Sequence, residues 1–297
     1  METTNVETAA DYIQKAKQAK RSKQMKEAEV FYYQALQIDP QNLEACQLLG
    51  ALYFEQKKFD QAMNSFIQAV SIDNNDSFSH FRLGRIAELQ NRLGDAAGSY
   101  AYAIKLNTES FDAYQHLGEV QFSQENFSAA EENFKKAIEL KSPAPWIRFR
   151  LGRIAAQQQQ HDEAMTYFKQ AVELNPKNPN FHTALGDSHF AKKQWGKAAN
   201  AYQKAIALKD QLPRVHFNLG RIAKQQKRYN VAAKHFRKAI ASQQATSLNA
   251  KNPRFYYQLG VVQSKQGDEG SAKTSYQQAL ELSPDFKPAQ TALETLS

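Results

Sequence analysis

Few residues here could do covalent or metal chemistry, and their spacing argues against it. Of the seven histidines, His182 and His189 stand two turns apart on one predicted helix, with no third ligand at readable spacing. His80, His182 and His216 recur at one position of a regular period, where a ring is wanted for packing. No His-Glu-x-x-His, no Cys-x-x-Cys and no glycine-rich phosphate loop occurs. No nucleophile stands with a base at readable spacing, and Cys46 reads as a core residue. The expectation is a chain that is not an enzyme and takes no cofactor and no metal.

What does recur is recognition chemistry. Arg85, Glu119, Arg153, Asp187 and Arg221 follow one another at thirty-four residues with alternating sign. Phe81, Phe149 and Phe217 follow at sixty-eight, inside the strings HFRLGRIA, RFRLGRIA and HFNLGRIA. Arg82 and Arg150 add a second cation to the first two strings, and Phe54, Phe122 and Phe190 supply aromatics in the alternate repeats. Arginine and aromatic side chains are the types that anchor interfaces, and a guanidinium matches a carboxylate with two hydrogen bonds. One reading makes the alternating charges lateral salt bridges between neighbouring helices, worth about 0.2–1 kcal/mol each when exposed. The other makes the arginines and phenylalanines a grip on an extended peptide.

The elements that must position these residues follow from the same period. In Pro145–Asn178, Leu151-Gly152 is followed by Ala164, Phe168, Ala171 and Pro176, and steps of thirty-four residues find that skeleton again. Gly50, Gly84, Gly118, Gly152, Gly186, Gly220 and Gly260 stand inside helical patterns, where glycine costs about 1 kcal/mol relative to alanine. Close approach of two helices accounts for that choice. An alanine twelve residues on, from Ala62 to Ala272, is expected to face each glycine, with an aromatic four further on filling the gap to the next pair. Offsets of three and four residues mark one face of a helix.

This skeleton resembles the tetratricopeptide repeat, a helix–turn–helix unit of thirty-four residues. With the glycine at repeat position 8, eight repeats run 9–42, 43–76, 77–110, 111–144, 145–178, 179–212, 213–246 and 253–286. A polar lead (1–8), a six-residue insertion (247–252) and a capping helix (287–297) complete the chain. The first repeat has Lys15-Ala16 where the others have Leu-Gly, as the end of a solenoid should. The resemblance implies an all-α fold, a right-handed α-solenoid superhelix whose first helices line a concave groove. It places repeat positions 2, 5, 6, 9, 12 and 13 in that groove. The groove residues so implied are Phe81, Arg82, Arg85, Trp146, Phe149, Arg150, Arg153, Phe217, Arg221, Arg254 and Tyr257, with Glu119 and Asp187 as the acidic rungs.

Composition agrees. No apolar run is long enough to span a membrane, Met1–Ala10 is too polar for a signal peptide, and a lone cysteine suits a reducing compartment. A cytoplasmic location is expected. The formal net charge of +8 and the groove arginines favour an acidic protein or peptide segment as partner. The acidic rungs would repel phosphate, so nucleic acid is the less expected ligand. The lysine–asparagine carboxylate clamp of chaperone-binding relatives is absent, and of the asparagine ladder found beside sugar transferases only Asn218 remains. Bacterial relatives often serve as assembly factors, so an alternative role is recruiting a glycan- or envelope-related enzyme or secretion complex.

Overall fold

A computed structural model describes residues 7–141, 143–245 and 252–296. Those residues form helices and turns, with no strand among them. In order the helices are α1 (Ala9–Arg21), α2 (Met25–Ile38), α3 (Leu43–Glu55), α4 (Phe59–Ile72), α5 (Ser77–Leu89), α6 (Leu93–Leu106), α7 (Phe111–Ser123) and α8 (Phe127–Leu140). There follow α9 (Pro145–Gln157), α10 (His161–Leu174), α11 (Pro179–Ala191), α12 (Trp195–Leu208), α13 (Pro213–Gln225), α14 (Tyr229–Ala245), α15 (Pro253–Lys265), α16 (Glu269–Leu282) and α17 (Lys287–Glu294). Each odd-numbered helix up to α15 pairs with the even one after it. The chain falls into two compact halves, Met1–Pro143 and Ala144–Ser297.

Local chemistry sets the ends. Asn42, Ser110, Asn178 and Asn252 accept a backbone N–H at the starts of α3, α7, α11 and α15. Proline opens α9, α11, α13 and α15, where its missing N–H is harmless. Each pair turns through one residue in the left-handed region: Lys23, Lys57, Asn91, Glu125, Gln159, Lys193, Lys227 and Gly267, with φ between 57 and 80°. There the N–H of Lys58 reaches back to the carbonyl of Tyr53, and that of Gln160 to Ala155, closing the end of the first helix. Only the last repeat uses glycine for this, so the turns are not announced by the residue that usually makes them.

The interior is a ladder of small and aromatic residues. Ala62, Ala96, Ala130, Ala164, Ala198, Ala232 and Ala272 are buried, as are Phe66, Tyr100, Phe134, Phe168, Tyr202, Phe236 and Tyr276. The expected facing of glycine and alanine is corrected by this packing. A Cβ on Gly152 would meet the ring of Phe168 at 2.6 Å, and one on Gly186 the ring of Tyr202 at 2.6 Å. Glycine makes room for the aromatic sixteen residues on, within its own repeat, because a flat ring must lie against bare backbone there.

Position 4 carries a joint. The Nε2 of His80, His182 and His216 hydrogen-bonds the carbonyl six residues earlier, at Asn74, Pro176 and Asp210. In α17 the amide of Gln290 does the same to Pro284. These rings close the backbone between repeats, which is a structural use. At the C-terminal end Ala289 of α17 is buried in a cluster with Tyr276 and Ala279. α14 runs to Ala245 and so is longer than the other second helices, and residues 246–251, which hold most of the expected insertion, lie outside the described residues.

Candidate peptide-binding face

The predicted recognition residues stand on the first helices of each half. In the N-terminal half the guanidinium of Arg82 on α5 lies between two rings, 5.4 Å from Phe54 and 5.0 Å from Phe78. Arg82 has no carboxylate partner among the described residues, and its Nε is buried without a hydrogen bond. Burial, with Arg85 nearby, lowers its affinity for the proton against the opposing pull of the Glu55 carboxylate. A desolvated cation held this way favours an incoming anion.

Arg85 turns elsewhere. It donates to Nε2 of His116 on α7 and stands 3.8 Å from Glu88. Since arginine can only donate, His116 accepts at Nε2 and its Nδ1 faces Glu88 at 3.1 Å. The Tyr100 hydroxyl donates to the same carboxylate at 2.5 Å. Burial pushes the Glu88 carboxyl up, but His116, Tyr100 and Arg85 outweigh it and hold it below the usual carboxylate range. Phe81 closes the cluster, 5.6 Å from the Tyr100 ring and 5.8 Å from His116. Glu119 stands half-buried on α7.

In the C-terminal half, Trp146 opens α9 and is 40% exposed, with its ring 5.1 Å from Phe149 and 6.0 Å from Phe181. Arg150 lies over it at 5.1 Å, and Arg153 is exposed one turn on. Arg221 on α13 lies 4.6 Å from the Phe190 ring and 5.9 Å from Phe217, with no carboxylate partner among the described residues. Arg254 is exposed in the first turn of α15. Trp146 with Arg150 therefore repeats Phe78 with Arg82, an exposed ring under an arginine one turn later. The reading of the sequence missed Phe78, although it stands sixty-eight residues before Trp146. It missed Glu88 and His116 as well, since neither recurs.

Two expectations are corrected. Phe149 is not a groove anchor: it is 8% exposed and packs on Phe168 at 5.8 Å and Phe181 at 5.2 Å. The same contact joins Phe81 to Tyr100, Phe217 to Phe236 at 5.7 Å and Tyr257 to Tyr276 at 5.9 Å. Position 5 is thus a second row of the core, in which Phe217 and Tyr257 are half-buried.

At Asp187 the lateral ladder is differently registered. Asp187 takes its hydrogen bonds from Arg214, from the Tyr202 hydroxyl at 2.7 Å and from Asn218 at 3.4 Å. Lys17 likewise reaches Glu44 at 2.6 Å. At these two rungs position 9 meets position 2 of the next helix, and at Asp187 position 6 as well. Burial raises the Asp187 carboxyl above its ordinary value against the pull of Arg214 and Tyr202.

Tandem helix pairs whose first helices offer arginine–aromatic stacks define an α-solenoid of the protein-interaction class. Tetratricopeptide-repeat models match residues 19–80, 121–188, 213–244 and 253–286, and a TPR-repeat model matches 186–227. The chain belongs to the tetratricopeptide repeat family. Among solved structures, MamA is 27% identical over 57% of this chain and 92% of that one, with a TM-score of 0.53. PilF of Pseudomonas aeruginosa is 18% identical over 75% of this chain and 100% of its own, at 0.62. The C-terminal part of a TPR protein from Cytophaga hutchinsonii is 15% identical over 82% and 98%, at 0.68; these last two speak to the fold alone. No curated protein matches.

Proposed function

We propose that the chain is a non-catalytic scaffold that binds an extended acidic peptide segment along its first helices. The observation that carries this is the pair Arg82 and Arg221, one in each half, stacked on rings with no carboxylate partner among the described residues. Glu55, the acid that acts on Arg82, is held by Lys20 at 2.7 Å, and Glu88 and Asp187 are occupied by internal partners. A peptide carboxylate would meet at Arg82 a half-buried guanidinium on aromatic faces, and at Arg221 an exposed one lying over Phe190, each free to make charge-assisted hydrogen bonds. Phe78 and Trp146 supply the apolar contacts beside it.

The test is fluorescence anisotropy with labelled acidic peptides and neutral peptides of matched length, against the wild type, Arg82→Glu and Arg221→Glu. Salt-sensitive binding of the acidic peptides, lost in both variants, is the expected result. Equal affinity for neutral peptides, or no loss on charge reversal, would remove the basis of the proposal. Labelled single-stranded nucleic acid belongs in the same assay, and its tighter binding would replace the peptide reading.

A further inference from the structure

A cavity of about 320 Å³ opens between α11 and α12, with Val172 of α10 at its edge. Its α11 wall is His182, Leu185 and His189, roughly a third of a turn round the helix from Thr183, Asp187 and Phe190. It is therefore separate from the first-helix face, and nothing in its argument rests on the peptide reading. Lys197, Ala201 and Lys204 of α12 form the opposite wall.

Two buried histidines face it. His182 is 5% exposed and His189 7%. His182 uses Nε2 on the carbonyl of Pro176 at 2.8 Å, and His189 uses Nδ1 on Gln194 at 2.7 Å. The other ring nitrogen of each, and the ammonium groups of Lys197 and Lys204, have no hydrogen-bond partner among the described residues.

The next repeat shows what these groups lack. There His216 makes the same bond to the carbonyl of Asp210, at 3.0 Å. Its Nδ1 meets Nδ1 of His235 at 3.3 Å, the rings 5.5 Å apart and tilted by 30°. Lys238 is held by the Asp210 carboxylate at 3.1 Å. Thirty-four residues earlier, Ala201 stands at the place of His235 and Pro176 at the place of Asp210, while Lys204 is kept. One repeat thus supplies its own ring N–H and carboxylate; the other keeps the histidine and the lysine that receive them.

We propose that this cavity binds a small organic carboxylate carrying a ring with an N–H donor. The ring donates to Nδ1 of His182, where the imidazole of His235 stands in the next repeat. The carboxylate bonds Lys204, and Val172, Leu185 and Ala201 pack against the ring faces. The cavity is at the lower end of the range for small-molecule sites.

The probe is imidazole-4-acetate, titrated into the full chain while histidine resonances are followed by NMR. Saturable shifts confined to His182 and His189 are the expected result. Acetate alone should bind about tenfold or more weakly, since it lacks the ring donor. Ala201→His rebuilds the arrangement of the next repeat, so it should keep or raise the melting temperature and abolish binding. If that variant fails to fold, Lys204→Met decides: it should weaken the probe about tenfold or more, as loss of a charged donor does. The proposal is overturned if the wild type gives no saturable shift at millimolar probe, if acetate binds as tightly as the probe, or if a folded variant binds as the wild type does.

Discussion

Arg214 donates to the Asp187 carboxylate from the first turn of α13, while Arg221, seven residues further on, lies over the Phe190 ring. The contact shows how these two first helices are staggered, and it separates the arginine that bridges them by charge from the one that lies on an aromatic face. A double-mutant cycle measures the separation. Asp187→Asn with Arg214→Ala should show coupling of about 0.2–1 kcal/mol in denaturant unfolding, since Arg214 is largely exposed. Asp187→Asn with Arg221→Ala should be additive. Coupling to Arg221 of equal size would restore the ladder with position 9 facing position 9.

Two glycines give opposite expectations. A Cβ at Gly152 would stand 2.6 Å from the Phe168 ring, whereas one at Gly98, inside α6, meets nothing within 4 Å. Gly152→Ala should therefore cost about 1–3 kcal/mol as an overpacked site. Gly98→Ala should stabilise by about 0.5–1 kcal/mol, because only backbone entropy and helix propensity change. Thermal melts of both variants read the sign directly, and a stabilised Gly152→Ala would mean the ring has room to slide.

Period, helix pairing and the buried alanine–aromatic ladder were legible in the sequence because packing repeats and so leaves a repeated signature. Partner choice within the ladder was not. Position 9 reads as a column in the sequence, but the stagger that sends Asp187 to Arg214 depends on how the helices are tilted, which no spacing records. Phe149 read as a groove residue because the resemblance places repeat position 5 there, yet its ring fills space beside Phe168. The cluster of Arg85, Glu88, Tyr100 and His116 occurs once, so periodicity gave it no emphasis.

The turns hold a correctable strain. Lys57, Gln159 and Lys193 adopt φ of 60, 63 and 57°, a region that costs a residue with a Cβ about 1–2 kcal/mol. Replacing any of them with glycine should stabilise by about 0.5–1 kcal/mol once the extra freedom of the unfolded glycine is set against the relief. Asn91, at φ 59°, should gain least, as asparagine tolerates this conformation. Equal gains at Asn91 and Lys57 in calorimetry would argue that the strain lies elsewhere.

Acid should weaken the C-terminal half through His216 and His235. Burial lowers both, and His216, Lys238, Lys234 and Arg228 add to it at His235, which is held down to about 4. Asp210 works the other way on His216. Both rings are thus neutral in the folded chain, and the unfolded chain binds more protons between pH 6.5 and about 4. Stability is fully present above that window and falls as pH drops through it, by about 1–3 kcal/mol. His235→Leu should flatten the decline, and an unchanged slope between pH 7 and 4.5 would exclude the pair as its origin.

Trp146 and Phe149 touch at 5.1 Å, and they should separate binding from folding. Phe149 is 8% exposed and wedged between Phe168 and Phe181, so Phe149→Ala should cost about 3–5 kcal/mol as a core cavity. Trp146 is 40% exposed, and Trp146→Ala should cost far less stability, mostly its contacts with Phe181 and Arg150. Its loss should weaken an acidic peptide by about tenfold or more, as truncating an aromatic anchor does. Emission from Trp146 in a Trp195→Phe background should shift when the peptide saturates. Binding that survives Trp146→Ala with no spectral change would place the ligand away from α9, leaving Arg82 and Phe78 on α5 as the site to probe next.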